Sequence, residues 1–285
     1  MSRNLEVMSA VKKICLELLL EVDRICKKHK IRYFLYGGTL LGAVRHEGFI
    51  PWDDDIDILI FRDDYNRFIK ACNKELKVDY FLETSKTEPL SIVTWGKLHK
   101  KNTSFIHDNV PKGCFQGISI DIFAFDKIPE NKVMRFLFGK FHNSINFIYS
   151  QRFGYRSENP SFKRRVFNLL IDCTKFIPDI TFKNWYHDLS TKYNKYDNLN
   201  FGIHNSFRKF HKKVMPIKYF EETCYLKFEG HKLCAPKEWD KILKSYYGVN
   251  YMDLPPENER VYHHASIIDP FNSWEKYLNK RGSYN

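Results

Sequence analysis

No stretch of the 285 residues approaches the roughly eighteen uninterrupted apolar positions that a membrane-spanning helix needs. The best candidates, around 136–148 and 166–177, are broken by Lys140, His142, Asp172 and Lys175, so the chain is not expected to span a membrane. No secretory leader is expected either. The opening MSRNLEVMSAVKKICLELLLEVDR holds no continuous apolar core and carries acids early, which makes the cytoplasm the expected location. The seven cysteines are an odd number with no C-x-x-C pair and no regular spacing. That argues against a disulfide framework or a zinc ribbon and for buried, reduced thiols. Repeats and low-complexity linkers are absent too.

What is present is a globular composition: 43% hydrophobic and 16% aromatic residues are enough for a sizeable core. The formal charge is +12 and is localised. Residues 127–218 carry 18 Lys and Arg against 6 acids, which leaves the rest of the chain neutral. Such a basic middle suits an anionic neighbour: nucleic acid, an acidic membrane leaflet or a phosphate-bearing substrate. Its charges are spread over several helical segments, so solvated helix faces explain it equally well.

Along the chain, Leu5, Met8, Val11, Cys15, Leu18, Val22 and Ile25 recur at spacings of three and four, predicting an amphipathic helix over 5–29. IRYFLY then reads as a strand running into Gly37-Gly38-Thr39 and a short helix, LLGAVRH. FIPWDDDIDILIF alternates from Asp53 onward, placing Asp53, Asp55 and Asp57 on one face and Asp54, Ile56, Ile58 and Ile60 on the other. Asp63 and Asp64 open the next helix, where carboxylates suit the N-terminus, and are read as structural. Strands are expected at YFLET, SIVTWGKLH and TSFIH. GISIDIFAFD alternates as a further strand, with Asp121 on its polar side. After Pro129 come basic, aromatic helices near 131–153, 161–177 and 182–196. TCYLKFEGHKLCAP reads as a hairpin turning at Glu229-Gly230, and PKEWDKILKSYYG as a helix from Pro236 to Gly248.

Three aspartates on one strand face repel one another, and the sequence offers no evident compensation except bound cations. Alternate side chains lie about 7 Å apart along a strand, close enough to share or bracket ions separated by about 3.5–4 Å. Asp121, on a neighbouring strand, is the candidate third carboxylate. Gly37-Gly38 at a helix N-terminus lets backbone N–H groups approach a phosphate. The arrangement suits metal-assisted phosphoryl-type transfer.

The stretch YFLYGGTLLGAVRHEGFIPWDDDIDILIFRDDYNRF resembles the signature of the LicD family, itself similar to fukutin-type phosphotransferases of the nucleotidyltransferase superfamily. The likeness continues through GISIDIFAFD and YLKFEGHKLCAPKEWDKILKSYYGVNYMDLPPENERVYHH, covering most of 30–125 and 215–264. It implies an α+β fold: a nucleotidyltransferase-like mixed sheet flanked by helices, with a mostly helical basic insertion and a C-terminal hairpin-helix part. The expected divisions are a catalytic core at 1–128, the basic helical region at 129–214 and a C-terminal part at 215–285 that completes the site.

The resemblance further implies transfer of a phospho-alcohol, typically phosphocholine from CDP-choline, to a sugar hydroxyl of a surface glycan such as lipopolysaccharide, teichoic acid or capsule, with release of CMP. Some relatives move ribitol phosphate. On this reading Asp55 and Asp57 bind Mg²⁺ or Mn²⁺, Asp121 acts as base or third ligand, and Asp53 is a neighbouring or alternative ligand. Gly37, Gly38 and Thr39 hold the donor phosphates. Arg45, His46 and Lys97 are candidates to meet the donor, and His263 and His264 match the family's terminal pair. Tyr36, Trp52 and Trp95 are the aromatic residues nearest the motifs for a choline cage. The expected partners are a CDP-alcohol donor, a surface-glycan or lipid-linked oligosaccharide acceptor, and peripheral contact with the inner membrane face. No nucleic acid is expected, because nothing resembles a nucleic-acid-binding module. Transfer of a nucleotidyl group from an NTP is the alternative chemistry.

Overall fold

The computed structural model describes residues 2–108, 110–111, 113–153, 162–206, 209–260 and 265–278. Helix α1 (Ser2–His29) turns Val11, Cys15, Leu18, Leu19, Val22, Ile25 and Cys26 fully into the core, as its period dictates. It stops where Lys30 adopts a left-handed conformation (φ 52°) and the Ile31 amide reaches back to the Cys26 carbonyl.

The chain then runs β1 (Tyr33–Leu35), α2 (Gly37–His46), β2 (Asp57–Phe61), α3 (Arg62–Glu75), β3 (Tyr80–Glu83), β4 (Gly96–Lys100), β5 (Ser104–Ile106) and β6 (Ser119–Ile128). The basic region forms α4 (Lys132–Phe153), α5 (Phe162–Cys173) and α6 (Asp179–Thr191), followed by β7 (Phe201–His204), α7 (Phe210–Lys213) and β8 (Val214–Pro216). The hairpin β9 (Thr223–Phe228) and β10 (His231–Pro236), helix α8 (Trp239–Tyr247) and strand β11 (Ile267–Asp269) complete it.

The fold is α+β. One mixed sheet has the order β1-β2-β6-β4-β3, and β7 and β8 extend it from the second half of β6. β6 is the spine: it pairs parallel with β2 and antiparallel with β4 and β7. Both it and β2 are apolar enough to be covered on two faces; Ile58, Leu59, Ile60 and Ile122 to Phe125 are all buried. The buried Arg62 guanidinium clasps both oxygens of Asp126 at 2.7 Å, tying α3 to this spine.

Most predicted elements appear, with instructive shifts. The aspartate strand starts only at Asp57: residues 53–56 precede it, after a turn in which the Asp53 amide donates to the Ile50 carbonyl, and the Ile56 carbonyl accepts from the Asp121 amide. The glycine pair lies inside the first turn of α2 and does not precede it. SIVTWGKLH yields a strand only from Gly96, and TSFIH pairs with β11 in a separate small sheet. Pro236 ends β10, and α8 begins three residues later at Trp239. The hairpin turns at Glu229 and Gly230 as expected, both with positive φ. Asp64 has the expected structural role, accepting from the Arg32 amide and pairing with Arg67. All seven cysteines are free; five are buried, while Cys224 is half-buried and Cys173 exposed. Among the described residues no helix is long and apolar enough to cross a membrane.

Candidate active site

The acidic segment keeps its alternation even before β2 begins. Asp53, Asp55 and Asp57 stay partly open, while Asp54 and Ile56 are buried. Asp57 opens β2 directly opposite Asp121 of β6, in register across the parallel pair. Adjacent strands lie about 4.8 Å apart and register partners share a face, so these two carboxylates are neighbours.

The glycines exist for the aspartates. A Cβ on Gly37 would lie 2.8 Å from Asp57 Oδ2, and one on Gly38 would lie 2.6 Å from Asp53 Oδ2. Gly37 also has φ +55°, a region L side chains avoid. The first turn of α2, the positive end of its dipole, therefore faces two carboxylates. Thr39 stands behind: its buried hydroxyl accepts from the Asp57 amide at 2.8 Å, fixing where the strand begins.

The sequence offers no evident partner for this negative charge, and the structure brings Lys97 and Lys12 to it. The Lys97 ammonium sits 2.8 Å from Asp121 Oδ1. Burial works against that ammonium, but Asp121, Glu83 and Asp55 outweigh burial and hold its pKa above the ordinary lysine value. Lys12 of α1 donates to the carbonyls of Ile50 and Pro51, anchoring the loop that delivers the aspartates. Burial lowers its pKa against the pull of Asp53, Asp54 and Glu229.

Two cavities meet at Asp55. The larger, about 690 Å³, takes in Gly38, Arg45, Trp52 and the open sides of Asp53, Asp55 and Asp57. Its far wall is C-terminal: Tyr247, Asn250, Tyr251, Asp253 and the run from Leu254 to Pro256. Arg45 pins that wall by donating to the Tyr251 and Asp253 carbonyls, each at 3.1 Å. The guanidinium carbons of Arg45 and Arg260 lie 5.9 and 4.6 Å from the Trp52 ring centroid. The smaller cavity, about 230 Å³, is bounded by Val11, Cys15, Asp55, Lys97, His107, Ser119 and Asp121.

Of the residues singled out in the sequence, Gly38, Arg45, Asp53, Asp55 and Asp57 border the larger cavity, and Asp55, Lys97 and Asp121 the smaller. Gly37 and Thr39 support Asp57. His46 ends α2 and accepts from Arg45 Nε at 3.0 Å, outside both linings. His263 and His264 lie outside the described residues. Tyr36 is packed in the core against His204 and Tyr246, and Trp95 is buried against Phe123; of the three aromatics only Trp52 reaches the larger cavity. A C-terminal part completing the site was expected, but the residues of this wall were not singled out, and Lys12 went unmarked. The wall's residues stand in the family-like run YYGVNYMDLPPENER, which held the signal, whereas Lys12 carries none.

The carboxylates are hard oxygen donors of the kind Mg²⁺ or Mn²⁺ prefers. Among the described residues, however, no group of three or more His, Cys, Asp or Glu could close on an ion by itself. Two carboxylates completed by substrate phosphate and water is the usual way a protein holds Mg²⁺, and Asp55 and Asp57, both bordering the larger cavity, fit that pattern.

Comparison with known proteins decides the family. The family model described as LicD/FKTN/FKRP, nucleotidyltransferase domain, matches residues 30–158. Lipopolysaccharide cholinephosphotransferase LicD of Haemophilus influenzae is 31% identical over 258 residues, covering 88% of this chain and 93% of the relative. The chain belongs to the LicD family. Ribitol 5-phosphate transferase FKRP of Mus musculus and of Homo sapiens is 44% identical over 54 residues, 18% of this chain and 11% of that protein. The LicD family model spans the glycine pair, the aspartate run and Asp121, and the longer similarity also extends over parts of the chain beyond them.

Proposed function

We propose that this LicD-family transferase moves a phospho-alcohol, phosphocholine from CDP-choline, onto a sugar hydroxyl of a surface glycan or its lipid-linked precursor. The observation that carries the proposal is the meeting of two cavities of unequal size at Asp55, beside the Asp57–Asp121 pair. The larger has the volume for a nucleotide-sized donor, and the smaller admits a hydroxyl to the same carboxylates.

In this reading the sugar oxygen attacks the phosphorus that bears the choline, the bond from that phosphorus to the CMP oxygen breaks, and CMP leaves. Asp121 accepts the hydroxyl proton, and the Lys97 ammonium, 2.8 Å away, holds its carboxylate in position. Asp55 and Asp57, with Asp53 beside them, would hold Mg²⁺ or Mn²⁺, which when bound would supply charge neutralisation at the transferring phosphate and its leaving oxygen. Arg45 keeps the C-terminal wall closed over the donor, and Trp52 offers the cavity an aromatic surface. The name of the Haemophilus relative favours lipopolysaccharide as the acceptor class. A lipid-linked acceptor would bring the enzyme to the cytoplasmic face of a membrane.

The test is CMP release from CDP-choline by purified protein with Mg²⁺ or Mn²⁺ and a glycan acceptor, beside Asp55→Ala and Asp121→Ala. Metal-dependent release that both substitutions abolish supports the proposal. Release only from CDP-ribitol would move it to the chemistry named for the FKRP relatives, and pyrophosphate from an NTP would replace it with nucleotidyl transfer.

A further inference from the structure

Helix α4 inverts the usual division of an amphipathic helix. Its buried residues are Phe138, Gly139, His142, Asn146 and Tyr149, a partly polar set. Val133, Met134, Phe136, Leu137 and Phe141 are instead 51% to 65% exposed. At about 100° per residue these five fall on the side opposite the buried set. The helix cannot roll to hide them. Gly139 lies so close to the Phe210 ring that a Cβ there would approach it to 2.4 Å. Asn146 donates to the Ser206 carbonyl at 3.3 Å and accepts from the Tyr186 hydroxyl at 3.0 Å.

The helix's own charges have one sign, and the nearby acids Asp172 and Asp179 are held in ion pairs with Lys175 and Arg152. The 22 residues of α4 include no acid, and the Lys140 ammonium stands 5.4 Å from the Phe136 ring centroid, over the apolar surface. α5, which packs on α4, adds exposed Arg165 and Leu169.

We propose that the outward face of α4 rests on an anionic lipid surface, with Phe136, Leu137 and Phe141 entering the acyl boundary and Lys132 and Lys140 meeting the headgroups. An exposed apolar stripe on a helix whose charged residues are all Lys or Arg is the composition of an interfacial helix. A second copy docking on this face would bring two basic surfaces together, whereas an anionic leaflet attracts each nearby Lys or Arg by about 1 kcal/mol. The surface rests on exposure and charge alone and stands whether or not the donor is CDP-choline.

The experiment is co-sedimentation of the full chain with vesicles of phosphatidylcholine alone and of phosphatidylcholine with about a third phosphatidylglycerol, an anionic content that sets up a strong surface potential. Binding is expected to the second and not the first, and to weaken as salt is raised. Lys140→Ala is expected to weaken it about fivefold. The exposed-site double variant Phe136→Ser with Phe141→Ser should weaken it roughly tenfold or more, with an unchanged melting temperature. Equal binding by this variant and the parent, or no binding by the parent, overturns the proposal. So does a dimer seen by light scattering that the double variant dissociates, which would assign the face to a second copy. Because vesicle binding needs neither donor nor acceptor, its failure is distinguishable from a failure of phospho-alcohol transfer.

Discussion

Asp57 and Asp121 face each other across β2 and β6, and each is held by a different device. The Thr39 hydroxyl fixes the Asp57 backbone, and the Lys97 ammonium fixes the Asp121 carboxylate. Position is thus set on one strand through the main chain and on the other through charge.

Removing either carboxylate separates chemistry from folding. Asp57→Asn and Asp121→Asn are each expected to slow CMP release by about a hundredfold or more, the scale on which loss of one preorganised charged group is felt. Asp57→Asn relieves repulsion in a crowded acidic site, so its melting temperature should hold or rise. Asp121→Asn leaves Lys97 with only the more distant Glu83 and Asp55 and should melt slightly earlier. Rates measured beside thermal melts decide it; near-parental turnover in either variant refutes the assignment.

The two glycines should fail differently. Gly37→Ala meets both a positive φ and Asp57 Oδ2, so about 1 kcal/mol of stability should go along with activity. Gly38→Ala carries no φ penalty and presses only on Asp53. It should keep more stability and lose activity in proportion to what Asp53 contributes. Comparable melting temperatures for the two variants would contradict this division.

What the sequence made legible follows the range of each interaction. Alternation placed Asp53, Asp55 and Asp57 together and Asp121 on a polar strand face, since strand period is a local property. The start of β2 at Asp57 was not legible: it is set by a turn at Ile50 and by Thr39, a partner 18 residues away. Nor was the charge balance, because Lys97 reaches Asp121 only through antiparallel β4–β6 register, in which the two are Cα partners. The basic middle read as helical, and α4, α5, α6 and the short α7 form there, yet nothing local revealed that β7 and β8 return to extend the central sheet. The larger cavity's far wall lies some 200 residues from the aspartates, held by Arg45 to two backbone carbonyls, contacts that side-chain patterning cannot announce.

Thr39 offers a test of positioning. Thr39→Val keeps the shape and leaves the Asp57 amide without its acceptor, at a cost of about 1–3 kcal/mol. Thr39→Ser restores the oxygen. If the hydroxyl positions Asp57, the serine variant recovers turnover and stability and the valine variant recovers neither. A valine variant with full turnover and reduced stability would confine Thr39 to a structural role. A rise in donor KM alone would point instead to the direct donor contact expected from the sequence.

Acid should loosen the helical region through His142. Burial, helped by the nearby Lys213 charge, drives this histidine's pKa from 6.5 to about 3. The unfolded chain takes up the proton as pH falls below 6.5 and the folded one does not. The stability His142 contributes is therefore complete above 6.5 and is lost progressively towards pH 3. The limiting slope for one proton is about 1.4 kcal/mol per pH unit. Between pH 6.5 and 5 His46 and His187, also lowered by burial, add slope of the same sign, so the His142 contribution is the difference between parent and variant. Buried carboxylates such as Glu83, which burial opposes but His99 holds below the usual range, lose their contribution only at lower pH. Lys213, lowered by burial to about 8, titrates above this window. Denaturant unfolding at several pH values should show this dependence in the parent. His142→Gln, which cannot titrate but can still hydrogen-bond Ser190, should flatten it by close to one proton, and an unchanged slope would mean that His142 is protonated in the folded state.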